Sequence, residues 1–89
     1  MPKIEIYTSR ACPYCIRSKS LLAKKGFKYE ELKVDENPSL LEDAIRRSNG
    51  RRTVPQIFIN EEHVGGYDDL AALDRAGKLD AMLGIKDSK

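Results

Sequence analysis

Two cysteines, Cys12 and Cys15, are the only ones in the chain, and they stand in a C-x-x-C spacing. Residues three apart on a helix are surface neighbours, so two sulfurs placed this way can come within bonding distance. Such a pair is open to thiol–disulfide exchange, metal ligation or a purely structural cross-link. As a cross-link it is weak: in the chain-entropy model so short a loop gives roughly 2 kcal/mol, against ~3 for a 15-residue loop. A structural zinc site wants four ligands, and with His63 as the sole histidine the chain offers no full Cys/His set. A reduced, inert pair is the remaining alternative. Exchange chemistry is the reading the spacing favours.

Pro13 suits the first position of a helix, where its missing N–H costs nothing, and this places Cys12 at the N-cap. A sulfur there faces free N–H groups and the positive end of the helix dipole, both of which favour a thiolate. Cys12 is therefore the attacking sulfur, and Cys15, one turn further in, the resolving one. A free thiol with pKa about 8.5 is only about 3% ionised at pH 7, so full ionisation gains roughly 30-fold in thiolate. A Brønsted coefficient of about 0.4–0.5 returns most of that gain as lost nucleophilicity. The larger benefit of a stabilised thiolate is as a leaving group from a mixed disulfide.

The elements that must position this pair follow from hydrophobic period and turn chemistry. Lys3 to Thr8 alternates polar and apolar residues and reads as a strand. The helix from Cys12 carries Cys15, Ser18 and Leu22 on one face and stops at Gly26 after Lys24 and Lys25. Phe27 through Val34 reads as a second strand. Asn37 caps a second helix opened by Pro38, with a buried stripe of Leu41, Ala44, Ile45 and Ser48 and Gly50 past its end. Val54 to Ile59 is a third strand, and the turn Asn60-Glu61-Glu62 leads to a short fourth around His63 and Val64. Gly65-Gly66 ends it, and Asp68 or Asp69 caps a helix with Leu70, Leu73 and Ala76. A last helical turn holds Leu79, Met82 and Leu83. The order β-α-β-α-β-β-α predicts an α/β domain with a parallel first pair, a right-handed crossover and a closing hairpin.

At 89 residues the chain is expected to form one domain, residues 1–89. No apolar run approaches the ~20 residues of a membrane span, and Met1 to Ile6 has no signal-peptide core, so a cytoplasmic setting is the default. A formal net charge of +2 gives little electrostatic reason for nucleic-acid binding. A reducing compartment also disfavours a structural disulfide.

Three segments together resemble the glutaredoxin family. Cys12-Pro13-Tyr14-Cys15 matches the active-site sequence of its dithiol class and is followed by Arg17-Ser18-Lys19, Leu21-Leu22 and Lys25-Gly26. Thr53-Val54-Pro55-Gln56-Ile57-Phe58 looks like the family's TVPxxF segment. Gly65-Gly66-Tyr67-Asp68-Asp69-Leu70 resembles its glycine pair before an acidic pair and leucine. The segments fall in the family's order and cover nearly the whole chain.

The resemblance implies a thioredoxin-like fold: a four-stranded mixed sheet flanked by three or more helices. It implies a cis Val54–Pro55 bond, where the residues alone give only a strand-opening proline. It implies glutathione as co-substrate, with no permanently bound cofactor and no metal. The implied glutathione contacts are Arg10, Tyr14, Thr53, Val54, Pro55, Gly66, Tyr67 and Asp68. Glutathionylated or disulfide-containing proteins are the expected partners, ribonucleotide reductase among the candidates, and the chain is expected to be a monomer.

Read from the residues alone, Gly65-Gly66 is either a plain turn before an aspartate cap or a set of N–H donors for a carboxylate. Two positions depart from the family's pattern. Ser9 stands where a lysine is common three residues before the first cysteine, with Arg10 beside it as the candidate replacement, though the two cations differ in reach. Tyr67 stands where a smaller residue is common.

Two other readings stay open. One is a thioredoxin-like electron donor reduced by a flavoprotein reductase, against which stand the missing W-C-G-P-C motif and the absence of Trp. The other is a dimer bridging a [2Fe–2S] cluster through Cys12 and glutathione, against which stands Pro13. Arg46, Arg47, Arg51 and Arg52 read as a solvated basic face with a steering role for acidic ligands. Tyr7 and Phe58 read as core, and His63 as a surface strand residue without a role.

Overall fold

The computed structural model describes residues 3–82, so the expectation for Leu83 lies outside the described residues. In chain order the elements are β1 (Ile4–Thr8), α1 (Pro13–Lys24), β2 (Glu30–Lys33), α2 (Pro38–Arg47), β3 (Gln56–Ile59), β4 (Glu62–Gly65), α3 (Tyr67–Arg75) and α4 (Lys78–Met82). The four strands form one mixed sheet in the order β2-β1-β3-β4, with β1 parallel to β2 and antiparallel to β3, and β3 antiparallel to β4. This is the expected thioredoxin-like arrangement. Among the described residues no helix is long and apolar enough to cross a membrane.

The two central strands are covered on both sides. Ile4, Ile6, Ile57 and Ile59 point to one face, where they pack with Leu22 of α1, Leu70 of α3 and Leu79 of α4. Tyr7 and Phe58 point to the other, against Ala44 of α2 and Val34. The polar–apolar alternation of β1 suggests a wet face, yet all five of its residues are buried. Glu5 is tolerated there because the Arg47 guanidinium grips its carboxylate with two hydrogen bonds of 2.8 and 3.2 Å.

Several boundaries differ from expectation for local reasons. The second strand begins at Glu30, not Phe27. Gly26 takes the left-handed conformation at φ 82°, its N–H bonds to Ala23 O, and the Phe27 N–H bonds to Leu22 O at 3.1 Å. That double closure ends α1 and commits the Phe27 backbone to the helix cap. α2 closes through Asn49 at φ 62° and Gly50 at φ 99°, so Gly50 lies past its end as expected. The covered stripe of α2 runs through Leu40, Leu41, Ala44 and Ser48, with Ile45 outside the core cluster. The β3–β4 turn is only Asn60-Glu61, both at positive φ, so Glu62 already belongs to β4. The cap of α3 is Gly66, not an aspartate; Asp69 instead reaches back to accept from the Gly66 N–H at 3.0 Å. Ala76 is the exposed C-cap of that helix, not part of its buried face.

Candidate active site

The chain leaves β1 at Thr8 and enters α1 at Pro13. Between them Ala11 sits at φ 58°, a left-handed conformation that costs a side-chain-bearing residue about 1–2 kcal/mol. This turn sets Cys12 at the N-cap of α1 in an extended conformation. Its Sγ accepts from the Cys15 backbone N–H at 3.1 Å and lies 3.8 Å from the Val54 carbonyl oxygen. The helix therefore places an N–H donor directly on the sulfur.

Cys15 is 1% exposed. Burial, and then the neighbouring Cys12 side chain, push its thiol up to about 12, with the Ser9 backbone and the Lys19 ammonium pulling the other way. The two sulfurs thus differ sharply. One is half-exposed and open to attack on a substrate, while the other is withheld as a thiol beneath the helix. That asymmetry suits sequential exchange, in which a disulfide forms first on Cys12 and is then displaced from within.

A groove of about 420 Å³ opens beside Cys12, lined by Tyr14, Arg51, Thr53, Val54, Pro55, Gly66, Tyr67, Asp68 and Asp69. The Val54–Pro55 peptide is cis. The Tyr14 and Tyr67 rings stack across the groove at 6.1 Å and 29°, and Arg17 lies 5.4 Å from the Tyr14 ring centre. A Cβ at Gly66 would sit 3.4 Å from the Pro55 carbonyl oxygen, at the near edge of ordinary contact. Gly65, at φ 122°, is the position that requires glycine, since a Cβ there would run into the Asp69 carboxylate. Asp68 lies in the first turn of α3, exposed and without an ion pair among the described residues.

Seven of the eight residues expected to contact glutathione are brought together in this groove: Tyr14, Thr53, Val54, Pro55, Gly66, Tyr67 and Asp68. Arg10 is not. Its side chain is 83% exposed and lies 3.8 Å from Asp35, and it lines a separate cleft on the β2 side together with Cys12, Cys15, Lys19 and Glu31. Among the described residues, no three His, Cys, Asp or Glu side chains converge as a metal site.

Two residues that the motifs do not mark as contacts also belong to the groove lining. Arg51 and Asp69 line the groove and approach each other at 3.8 Å. The basic cluster that contained Arg51 does not act as one surface. Arg46 pairs with Asp43, whereas Arg47 is half-buried, donates to the Tyr7 hydroxyl at 2.7 Å and lies 4.1 Å from the Phe58 ring centre. His63 is likewise half-buried, not a free surface residue: its ring lies 4.9 Å from that of Phe58 and its Nε2 is 2.7 Å from Gln56 Oε1. Burial first, and then the charge of Arg51, push its imidazolium below the ordinary range, opposed by Asp69.

Comparison with known proteins places this geometry among its relatives. The family model described as Glutaredoxin matches residues 4–64. Glutaredoxin 3 of Escherichia coli is 54% identical over 83 residues, which span 93% of this chain and 99% of that protein. The solution structure of glutaredoxin from Brucella melitensis is 47% identical, covers 98% of this chain and 94% of that one, and superposes with a TM-score of 0.80. The crystal structure of a buckwheat glutaredoxin–glutathione complex is 32% identical, covers 93% of this chain and 77% of that one, and gives a TM-score of 0.83.

Proposed function

The chain belongs to the glutaredoxin family and is a thiol–disulfide oxidoreductase, and from that premise we propose that glutathione is its electron donor and that the groove beside Cys12 holds the glutathionyl group. The observation that carries this reading is a groove lined by Val54, whose carbonyl oxygen lies 3.8 Å from the partly exposed Cys12 sulfur at a helix N-terminus, with a buried second thiol behind it. The buckwheat relative in complex with glutathione supports the choice of ligand.

With a glutathionylated protein, the Cys12 thiolate attacks the glutathionyl sulfur. The protein thiolate leaves and takes up a proton, and Cys12 carries the glutathionyl group. A second glutathione thiolate attacks that sulfur, releasing oxidised glutathione and regenerating the Cys12 thiolate. Cys15 takes no part. With a protein disulfide, Cys12 forms a mixed disulfide with one protein sulfur and the other leaves as a thiolate. Cys15 then gives up its proton and attacks Cys12 Sγ, which frees the second protein sulfur. Two glutathione molecules reduce the resulting Cys12–Cys15 disulfide.

The ligand is a small peptide with two carboxylates and one ammonium. In this reading Tyr14, Thr53, Val54 and Pro55 flank its cysteine, and Val54 pairs with its backbone. The Gly66 and Tyr67 end of α3 meets the γ-glutamyl carboxylate with N–H groups and the helix dipole, and Asp68 accepts from the ammonium. Arg10 serves as a cation on the opposite side of Cys12. We assign the protein to a reducing, cytoplasmic setting, as a monomer acting on glutathionylated and disulfide-bonded proteins.

The test is turnover of a glutathione mixed disulfide with two electron sources. Glutathione with glutathione reductase should support fast turnover. Activity with a flavoprotein thioredoxin reductase alone would keep the roles of the two cysteines and discard the glutathione groove.

A further inference from the structure

Behind the groove runs a chain of polar side chains that the exchange chemistry does not use. Gln56 follows the cis proline in β3 and is fully buried. Its Nε2 lies 3.0 Å from the Thr53 carbonyl oxygen and 3.2 Å from the Thr53 hydroxyl, so its two N–H bonds are both committed to Thr53. Its Oε1 has no proton to give, so the 2.7 Å contact with His63 is donated by the imidazole Nε2–H. His63 in turn is the cross-strand neighbour of Phe58, and the Phe58 ring is backed by the Arg47 guanidinium. The imidazole therefore has a fixed seat, and a flipped amide would turn Oε1 toward the Thr53 carbonyl oxygen and lose that hydrogen bond.

The consequence reaches the groove through one peptide plane. In a trans peptide the carbonyl and the N–H that follows it point in opposite directions. Gln56 draws the Thr53 carbonyl toward the protein interior, which turns the Val54 N–H outward, on the side where Val54 lines the groove. An apolar residue at position 56 would fill the same space but leave that peptide free to rotate.

We infer that Gln56 and His63 are positioning residues: His63 orients the Gln56 amide, and Gln56 holds the Thr53–Val54 peptide so that its N–H is presented to the backbone of a glutathionyl ligand. This rests on the glutathione reading above and extends it to two residues outside the groove. A preset donor lowers the ordering cost of binding without touching the sulfur chemistry, so the effect falls on KM.

The experiment compares Gln56→Glu, His63→Phe and His63→Gln with the wild type on a glutathionylated peptide, with glutathione and glutathione reductase. Gln56→Glu keeps size and the acceptor for His63 but has no N–H for Thr53. His63→Phe keeps a ring against Phe58 but leaves Gln56 Oε1 unpartnered, while His63→Gln restores a donor. We expect KM to rise roughly threefold to tenfold in the first two, the range of one net hydrogen bond, with kcat within about twofold. His63→Gln should return toward the wild type, and alkylation of Cys12 by iodoacetamide should keep its rate in all three. If Gln56→Glu does not fold, His63→Phe carries the test. Unchanged KM in folded Gln56→Glu or His63→Phe, or a matched fall in kcat and alkylation rate, overturns the inference and marks the chain of bonds as structural only. If the wild type itself fails to turn over the glutathionylated peptide, the glutathione reading fails and this inference falls with it.

Discussion

On one face of the sheet, Ile4, Ile6, Ile57 and Ile59 meet Leu22, Leu70 and Leu79 in a cluster whose buried members are all aliphatic, with Phe27 and Tyr29 packed at its margin. On the other, Tyr7 and Phe58 share the interior with Glu5, Gln56, Arg47 and His63, all of them hydrogen-bonded. The first face fixes where α1 lies, and so where the two cysteines lie relative to the sheet. The second leads from α2 to the loop that carries Thr53 and Val54, first through the ring contacts of Arg47 and His63 with Phe58 and then through the hydrogen bonds of His63, Gln56 and Thr53. Aliphatic packing is non-directional and contributes stability by area and fit. Buried hydrogen bonds contribute little net stability but specify orientation, because an unmade one is costly. The molecule uses the first kind of contact to place the nucleophile's helix and the second to orient the strand edge opposite it.

The largest expected loss of stability comes from breaking the aliphatic face. Leu22→Ala removes a fully buried side chain from the centre of that cluster and should cost about 3 kcal/mol in urea unfolding. A loss below about 1 kcal/mol would mean that this face collapses around the cavity and is not closely packed.

A smaller effect with a different signature is expected on the polar face. Arg47→Met should cost about 2 kcal/mol, because Glu5, whose side chain is only 10% exposed, loses its partner. Adding Glu5→Leu should recover part of that loss, which a simple sum of two deletions would not do. The pair also has a pH signature. The hydrogen-bonded Arg47 guanidinium holds the Glu5 carboxyl below its ordinary value of 4.5. Lys19 does the same for Glu31 on the β2 side. Both contributions are fully present above pH 4.5 and are lost as pH falls through the depressed folded values. Urea midpoints between pH 5.5 and about 3 should therefore fall less steeply in Arg47→Met than in the wild type. Parallel slopes would sink the role given to this pair.

Much of the arrangement was legible in the sequence because its signals are local. Pro13 and Pro38 mark helix starts, Gly26 marks a helix end, and the spacing of Cys12 and Cys15 fixes their geometry on one turn. The element order, the parallel pair and the hairpin follow from such signals. What stayed hidden depends on contacts between distant segments. Nothing near Glu5 announces that Arg47, 42 residues away, will neutralise it inside the core. His63 looked like a surface residue because its neighbours Glu61 and Glu62 are exposed, while its partners Phe58 and Gln56 lie across a turn. Arg10 is expected among the glutathione contacts only as a replacement for the family's lysine at the Ser9 position, but it lines the cleft on the other side of Cys12, just before the left-handed turn at Ala11. Alanine carries no sequence signal for that conformation.

The central claim is a division of labour between a half-exposed sulfur and a buried one, and it is tested most directly with Cys12→Ser and Cys15→Ser on two substrates, a glutathionylated protein and a protein disulfide. Cys12→Ser should lose both activities, while Cys15→Ser should keep turnover of the glutathionylated protein and lose only reduction of the disulfide. Loss of both activities in a folded Cys15→Ser variant would contradict the account, because the buried thiol would then be needed for a step assigned to Cys12 and glutathione alone.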